Sequence, residues 1–178
     1  MTVVTLTEVD APDPRRTVEG AVLLDLWCDL ACPECADALE LLDELGEQFG
    51  DGLVVRLRHF PLTDHVWAVA AAQCQCAAAA QGQGEAYTAL ALATLADVEG
   101  PADYVDLAEH LGLDEEAVAV ALFDGTFARQ VREDHDAGRD LGVRGTPTFV
   151  VDGLLVDGTV TLEGARDALV TRVRRALA

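Results

Sequence analysis

The chain has 178 residues, of which 51% are hydrophobic and 25% are charged, and its formal net charge at pH 7 is −20. This excess of negative charge excludes nucleic acid and anionic membrane surfaces as favourable partners, because both would repel the protein. The length and the apolar content are typical of one globular domain, and we predict a single domain over residues 1–178.

The N-terminal composition and the cysteine count give an expectation for location. Residues 1–8 lack the basic start and the apolar stretch of a secretory signal, and no stretch has the length and apolar content of a transmembrane helix. We therefore expect a cytoplasmic protein. In a reducing compartment, five cysteines indicate redox chemistry or metal binding rather than structural disulfides.

The first part of the chain predicts a strand–helix–strand unit. Val3 to Val9 alternates weakly and is typical of an edge strand. Ala21 to Trp27 is almost continuously apolar, as in a strand that is buried on both faces. Pro33 to Phe49 repeats apolar residues at helical spacing, and Leu53 to Phe60 forms a second buried strand. Two strands joined by a helical crossover are expected to be parallel.

The middle of the chain is predicted to be helical, and the end returns to the sheet. We expect a helical insertion over about residues 63–141, packed on the sheet because no linker separates it from the strands. Apolar runs on either side of Asp152-Gly153 predict a β-hairpin, and Thr161 caps a last helix that ends near Leu177. The helices predicted in the insertion are His65–Ala80, Glu85–Leu95, Tyr104–Leu111, a short helix from an Asp114 cap to Phe123, and Thr126–Leu141.

Two cysteines stand at the start of the first predicted helix, in the sequence Cys32-Pro33-Glu34-Cys35. Proline suits the first helical position, which places Cys32 at the N-cap, where the helix dipole and unpaired backbone N–H groups favour a thiolate. Cys35 lies one turn into the helix on the same side, so it can attack a mixed disulfide formed at Cys32. The pattern predicts a dithiol/disulfide exchange site.

A second motif, Gly145-Thr-Pro-Thr-Phe149, precedes the third predicted core strand. A proline that leads into a strand and follows threonine is a candidate for a cis peptide bond. In the cis form, the backbone of Thr146 would point outward beside the disulfide and could pair with an extended substrate segment. In the alternative, Pro147 is trans and begins an edge strand.

Three segments together give the chain a resemblance to the DsbA-like branch of the thioredoxin-fold oxidoreductases. They are the cysteine motif at residues 32–35, the corner Arg58-His-Phe-Pro-Leu62, and the segment Gly142-Val-Arg-Gly-Thr-Pro-Thr-Phe-Val-Val-Asp-Gly153. The resemblance covers nearly the whole chain. It implies an α/β protein with a thioredoxin-like sheet and a helical insertion between the second and third core strands.

The resemblance also implies roles for individual residues. In this family the first cysteine of the pair is the nucleophile and the second resolves the mixed disulfide, so these roles fall to Cys32 and Cys35. The proline of the second motif is cis in the family and faces the disulfide. The residues expected to bind substrate are Thr146, Pro147, Pro33 and Glu34.

The chain departs from the family pattern at Glu34, where relatives often carry histidine or an aromatic residue. A carboxylate there disfavours a thiolate at Cys32, which predicts a Cys32 pKa of about 7 rather than about 3.5 and a less oxidising couple. Cys28 is an extra thiol and an auxiliary candidate. Asp25 is a second one, as a buried acid that could take the proton from Cys35, although its spacing is one residue longer than in thioredoxins.

Other groupings of the cysteines define rival sites. Cys28, Cys32 and Cys35 have the Cys-x3-Cys-x2-Cys spacing of radical enzymes that hold a four-iron cluster, but such a site leaves the Thr-Pro-Thr loop unexplained. A zinc site would need Cys74 and Cys76 in addition to the pair, yet a Cys-x-Cys on a helix points its thiols to different faces. These two cysteines are otherwise small buried apolar residues, or a relay near Cys28.

The sequence therefore predicts thiol–disulfide exchange on a protein or a low-molecular-weight thiol or disulfide substrate. We expect no metal and no organic cofactor, only a redox partner, and in a reducing compartment we expect reduction or repair. One alternative is a non-catalytic or metal-binding (zinc or iron–sulfur) protein on the same fold. Another is a glutathione-dependent isomerase or transferase of that fold, and the intact cysteine pair counts against it because those enzymes often carry serine at the first position.

Overall fold

The structure, a computed structural model, describes residues 20–159 and 161–178, so the strand predicted over Val3–Val9 lies outside the described residues. The described strands pair in the order β2-β1-β3-β4, with β1 and β2 parallel and β3 antiparallel to both β1 and β4. The parallel pairing of the first two strands and the hairpin at the end are therefore confirmed. The strands are β1 (Val22–Cys28), β2 (Leu53–His59), β3 (Thr148–Val151) and β4 (Leu154–Asp157).

Helices α2 to α6 lie between β2 and β3, which confirms the α/β fold with a helical insertion. Short 3-10 turns at Gly50–Gly52 and Leu95–Asp97 interrupt the connections. None of the described helices has the length and apolar character needed to cross a lipid bilayer. The helices are α1 (Pro33–Phe49), α2 (Ala68–Ala80), α3 (Gly84–Ala93), α4 (Pro101–His110), α5 (Glu115–Asp124), α6 (Ala128–Leu141) and α7 (Leu162–Leu177).

Helix α1 has the bounds predicted from the sequence, whereas the starts of α2 and α4 differ. Helix α2 begins at Ala68 rather than His65, because the preceding residues form a turn in which Ala68 N–H donates to His65 O at 3.1 Å. Helix α4 begins one turn earlier than predicted, at Pro101, because the Asp103 carboxylate accepts from Gly100 N–H at 2.8 Å and caps the helix.

The central strand β1 is buried along its whole length and contributes side chains to two different cores. Leu24, Leu26 and Cys28 point to the face that α1, α7 and part of the insertion cover. Trp27 points to the opposite face, where it packs with Phe60 in a smaller cluster. This alternation decides which residues of β1 can reach the cysteine pair.

Helix α6 covers the second face at very close range. A side chain at Gly138 would come within 2.9 Å of the Phe60 ring, so only glycine lets the helix backbone approach the sheet here. Trp27 Nε1 donates to the Asp134 carbonyl of the same helix at 3.2 Å. The Asp134 carboxylate also pairs with Arg58 of β2, and α6 is thereby held by both an apolar contact and a buried ion pair.

Candidate active site

Cys32 lies at the junction between the end of β1 and the start of α1. The turn that joins them is held by Asp29, whose carbonyl accepts from Cys32 N–H at 3.0 Å and whose Oδ1 accepts from Ala31 N–H at 2.8 Å. Cys32 is the N-cap residue of α1, with an extended backbone, and Pro33 occupies the first turn. The thiol therefore lies at the positive end of the helix dipole.

The thiol of Cys32 faces the loop that precedes β3. Its Sγ lies 3.5 Å from the carbonyl oxygen of Thr146, although the two residues are 114 positions apart in the sequence. The Thr146–Pro147 peptide bond is cis. Gly158 holds this loop from the other side, since its N–H donates to Pro147 O at 3.1 Å and a Cβ there would come within 2.8 Å of the same oxygen. The two motifs thus form one site.

Glu34 covers the thiol at the protein surface. Its Oε2 lies 3.1 Å from Cys32 Sγ, and the side chains of Pro33 and Glu34 are themselves exposed. One S–H proton donates to one acceptor at a time, so Glu34 and the Thr146 carbonyl compete for it. The hydrogen bond from Cys32 lowers the pKa of Glu34, which keeps this carboxylate charged next to the thiol.

The pKa of Cys32 is raised above that of an ordinary thiol, so the value of about 7 predicted from Cys-Pro-Glu-Cys is wrong. The largest cause is the hydrogen bond between the Cys32 and Cys35 thiols, followed by burial, since Cys32 is only 2% exposed. The hydrogen bond with Thr146 lowers the pKa, whereas Glu34 raises it. The hydrogen bond with Cys35 and burial therefore outweigh the hydrogen bond with Thr146.

Cys35 is the middle one of three neighbouring thiols. Its side chain is completely buried and hydrogen-bonds with both Cys32 and Cys28. Burial raises the pKa of Cys35 well above its usual range, and the contact with Cys28 adds to the effect. None of the five cysteines, all of which lie among the described residues, is in a disulfide. The structure therefore brings Cys28, the predicted auxiliary thiol, to the site.

Asp25, the other auxiliary candidate, does not lie with the cysteines. Strand alternation points its side chain to the face of β1 opposite to Cys28. Arg56 binds both oxygens of its carboxylate, with 2.7 Å between Nη2 and Oδ2, and Arg58 lies beside the same carboxylate. The structure therefore gives Asp25 a place in a buried ion network and no route to the proton of Cys35.

A different buried acid, Asp29, lies next to the cysteines and was missed from the sequence. Its Oδ2 accepts from Leu62 N–H at 2.8 Å and lies 2.7 Å from Nδ1 of His65. Burial lowers the pKa of His65, but the hydrogen bond and charge of Asp29 and a smaller contribution from Cys32 outweigh it, so the pKa is raised. The sequence feature that could have identified it is an aspartate directly after a buried strand, where a carboxylate can accept hydrogen bonds from the backbone N–H groups of the turn.

The remaining two cysteines have separate surroundings in the insertion. Cys74 hydrogen-bonds with Tyr87, and burial raises its pKa to about 12. Cys76 Sγ lies 3.3 Å from Nε2 of His59. Among residues 20–159 and 161–178, no group of three or more His, Cys, Asp or Glu side chains is arranged to hold a metal ion. The zinc and iron–sulfur alternatives therefore have no ligand set in this part of the chain.

An apolar groove of about 590 Å³ borders the cysteine site. Pro33 forms one edge of it, and the turn before α2 forms another through Val66 and Trp67, which are 78% and 37% exposed. His65, whose ring lies 2.7 Å from the Asp29 carboxylate, also lines the groove. Apolar side chains exposed around a concave surface are typical of a binding site.

Known proteins share both the sequence pattern and the fold. The family model of the DSBA-like thioredoxin domain matches residues 23–170. The Na(+)/H(+) antiporter NhaA 1 of Salinispora arenicola is 36% identical over 161 residues, which cover 90% of this chain and 24% of that protein. The chain thus spans about a quarter of the length of the curated relatives it matches.

Solved structures agree with the family match. A thioredoxin-like oxidoreductase from Silicibacter pomeroyi has a TM-score of 0.68 and 25% identity, with 86% of this chain and 88% of that chain covered. BdbD from Bacillus subtilis has a TM-score of 0.77 at 17% identity, with 92% and 96% covered, and this likeness shows the fold alone. Because the family model matches residues 23–170, the chain belongs to the DSBA-like thioredoxin domain family.

Proposed function

We propose that the chain exchanges disulfides with a protein or low-molecular-weight thiol substrate through the pair Cys32 and Cys35. The observation that carries this proposal is the position of the Cys32 thiol, at the N-terminus of α1 and 3.5 Å from the Thr146 carbonyl next to a cis proline. The partner thiol that can complete the exchange lies directly behind it. The two thiols and the Thr146 carbonyl are therefore supplied by the first turn of α1 and by the loop that precedes β3.

The exchange proceeds in two balanced steps. The Cys32 thiolate attacks one sulfur of a substrate disulfide, a mixed disulfide forms, and the other substrate sulfur leaves and takes up a proton. The Cys35 thiolate then attacks Cys32 Sγ, which forms the Cys32–Cys35 disulfide and releases the second substrate thiol. The substrate gains two electrons and two protons, and the protein loses them. A separate redox partner returns the enzyme to the dithiol.

The charges around Cys32 favour substrate reduction as the working direction. An oxidising member of this class owes its potential to a stabilised thiolate in the reduced form. Here the hydrogen bond with Cys35, burial and Glu34 raise the pKa of Cys32, so the reduced form lacks such a stabilised thiolate. A couple whose reduced form lacks this stabilisation gives up its electrons more readily, which supports the reducing direction expected from the sequence.

Two surfaces would hold the substrate. The Thr146 carbonyl can accept an N–H from an extended segment once the Cys32 thiol has reacted, and the exposed Pro33–Glu34 corner borders the approach. The apolar groove beyond Pro33 suits apolar side chains next to a substrate cysteine. The net charge of −20 disfavours strongly acidic substrates.

Insulin reduction with dithiothreitol as electron donor tests the proposal. We expect the wild-type chain to accelerate the precipitation of the insulin B chain and Cys32→Ser to abolish the acceleration. Cys74→Ala is the matched control, because the buried Cys74 thiol interacts with Tyr87 of the insertion, and the variant should keep the activity. An inactive wild type, or a Cys32→Ser variant as active as the wild type, would favour the non-catalytic binding protein.

A further inference from the structure

Three cysteine thiols lie close together where β1 ends and α1 begins, and the exchange described above uses only two of them, Cys32 and Cys35. Cys28 ends β1 with its side chain on the α1 face, and it belongs to the same buried cluster as Cys32 and Cys35. The Cys35 thiol interacts with the Cys28 thiol as well as with the Cys32 thiol. Cys35 is thus placed between two thiols, each of which can reach it.

We propose that Cys28 is a third exchange thiol, which attacks Cys35 in the oxidised protein and moves the disulfide from Cys32–Cys35 to Cys28–Cys35. This inference rests on the proposed exchange function. Thiol–disulfide exchange needs an attacking thiol within reach of the sulfur under attack, and Cys28 is such a neighbour of Cys35.

The internal transfer is balanced without any external oxidant. The Cys28–Cys35 bond forms as the Cys32–Cys35 bond breaks, and the proton of the Cys28 thiol ends on the sulfur of Cys32. The protein keeps the same number of electrons throughout. The product is an oxidised protein with a free Cys32 thiol.

The two oxidised forms differ in what the surroundings can reach. In the structure Cys28 and Cys35 are at most 1% exposed, and Cys32 is 2% exposed but contacts the exposed side chain of Glu34. The oxidising equivalent is then held by Cys28 and Cys35, while the Cys32 thiol is free to attack a new substrate. Cys28 would thereby store the disulfide.

Alkylation of the oxidised protein separates the two forms. The wild-type chain is oxidised with diamide, the diamide is removed, and the folded protein is exposed to iodoacetamide. Remaining thiols are blocked in acid, and proteases that cleave before Asp29 and after Glu34 place the three cysteines on separate fragments. Mass spectrometry without reduction then reads which cysteines are bonded and which carry the label.

We expect label on Cys32 in the same molecules that contain a Cys28–Cys35 disulfide. The label should be lost in oxidised Cys28→Ala, in which Cys32 has no way to become free, and retained in oxidised Cys74→Ala. In Cys32→Ser, diamide should produce an intramolecular Cys28–Cys35 disulfide. If oxidised wild type contains only Cys32–Cys35 and takes no label at Cys32, the third-thiol role is refuted while the exchange function stands. If diamide produces neither a Cys32–Cys35 nor a Cys28–Cys35 disulfide, both proposals fail.

Discussion

Two buried aspartates near the end of β1, Asp25 and Asp29, have different structural roles, although only three residues separate them. Asp25 points to the α6 face and is neutralised by Arg56 within an ion network that also contains Arg58 and Asp134. Asp29 lies in the turn next to Cys32, where backbone N–H groups and His65 bind it. The comparison teaches that burial of a carboxylate does not identify its role, because the partners on its side of the sheet decide it.

The largest effect is expected from Asp25→Asn, which leaves the charge of Arg56 buried without its counter-ion. We expect a loss of about 3 kcal/mol in the free energy of unfolding, measured by urea titration, since removing one partner of a buried pair leaves an uncompensated charge. The alkylation rate of Cys32 and its pH profile should not change. A shifted pH profile of Cys32 alkylation with little loss of stability would show that Asp25 takes part in the chemistry of the cysteine pair.

Asp29→Asn should reduce the free energy of unfolding less than Asp25→Asn does, but it should change the pKa of His65 next to the active site. The variant loses charge-assisted hydrogen bonds, with an expected cost of about 2 kcal/mol in urea titration. The pKa of His65 should fall, because the burial that lowers it is no longer opposed by the Asp29 carboxylate. A titration of the His65 ring followed by NMR measures this shift. An unchanged His65 pKa would mean that Asp29 only accepts hydrogen bonds from the backbone of the turn and does not influence the charge of His65.

Glu34→Gln tests the charge that covers the thiol. Removing a carboxylate 3.1 Å from Cys32 Sγ should lower the pKa of Cys32 and raise its alkylation rate at neutral pH by about tenfold. Glu40→Gln, an exposed change farther along α1, is the matched control and should leave the rate unchanged. A slower reaction in Glu34→Gln would show that the carboxylate assists the thiolate.

The smallest effect concerns the pH dependence of stability. The pKa of His65 is raised above the ordinary value of 6.5, so its pairing with Asp29 stabilises the fold below that pH and is lost as the pH rises through the folded-state pKa. The difference in unfolding free energy between wild type and His65→Gln should thus be about 1 kcal/mol at pH 6 and shrink at higher pH. His110→Gln, at an exposed histidine of α4, is the control. A difference that stays constant with pH would contradict the charged pair.

The parts of the site that the sequence predicted are those with a local signature. A strand, two cysteines with a proline between them and an amphipathic helix gave the position of Cys32 and the bounds of α1. The residue types around Pro147 predicted its cis bond, and the resemblance to the family connected the two motifs. Each of these inferences used residues that are neighbours in the chain.

The missed features depend on contacts between segments far apart in the sequence. His65 lies 36 positions after Asp29, in a turn predicted as helix, and its ring reaches the carboxylate only in the folded chain. The Cys32 pKa was predicted from the helix dipole and Glu34 to lie below that of an ordinary thiol, but the hydrogen bond with Cys35 and burial raise it instead. Asp25 was misassigned because its one-residue shift turns the side chain to the other face of the sheet.

The most direct test of the central claim is to trap the mixed disulfide in a chain with Cys28→Ala and Cys35→Ala, in which no neighbouring thiol can release it. The folded variant is mixed with a disulfide-containing peptide, quenched in acid and digested, and the site of attachment is read by mass spectrometry. The account predicts attachment at Cys32, with Cys74 and Cys76 unmodified. Attachment at either of those cysteines with Cys32 unmodified, or no adduct on the folded protein, would contradict it.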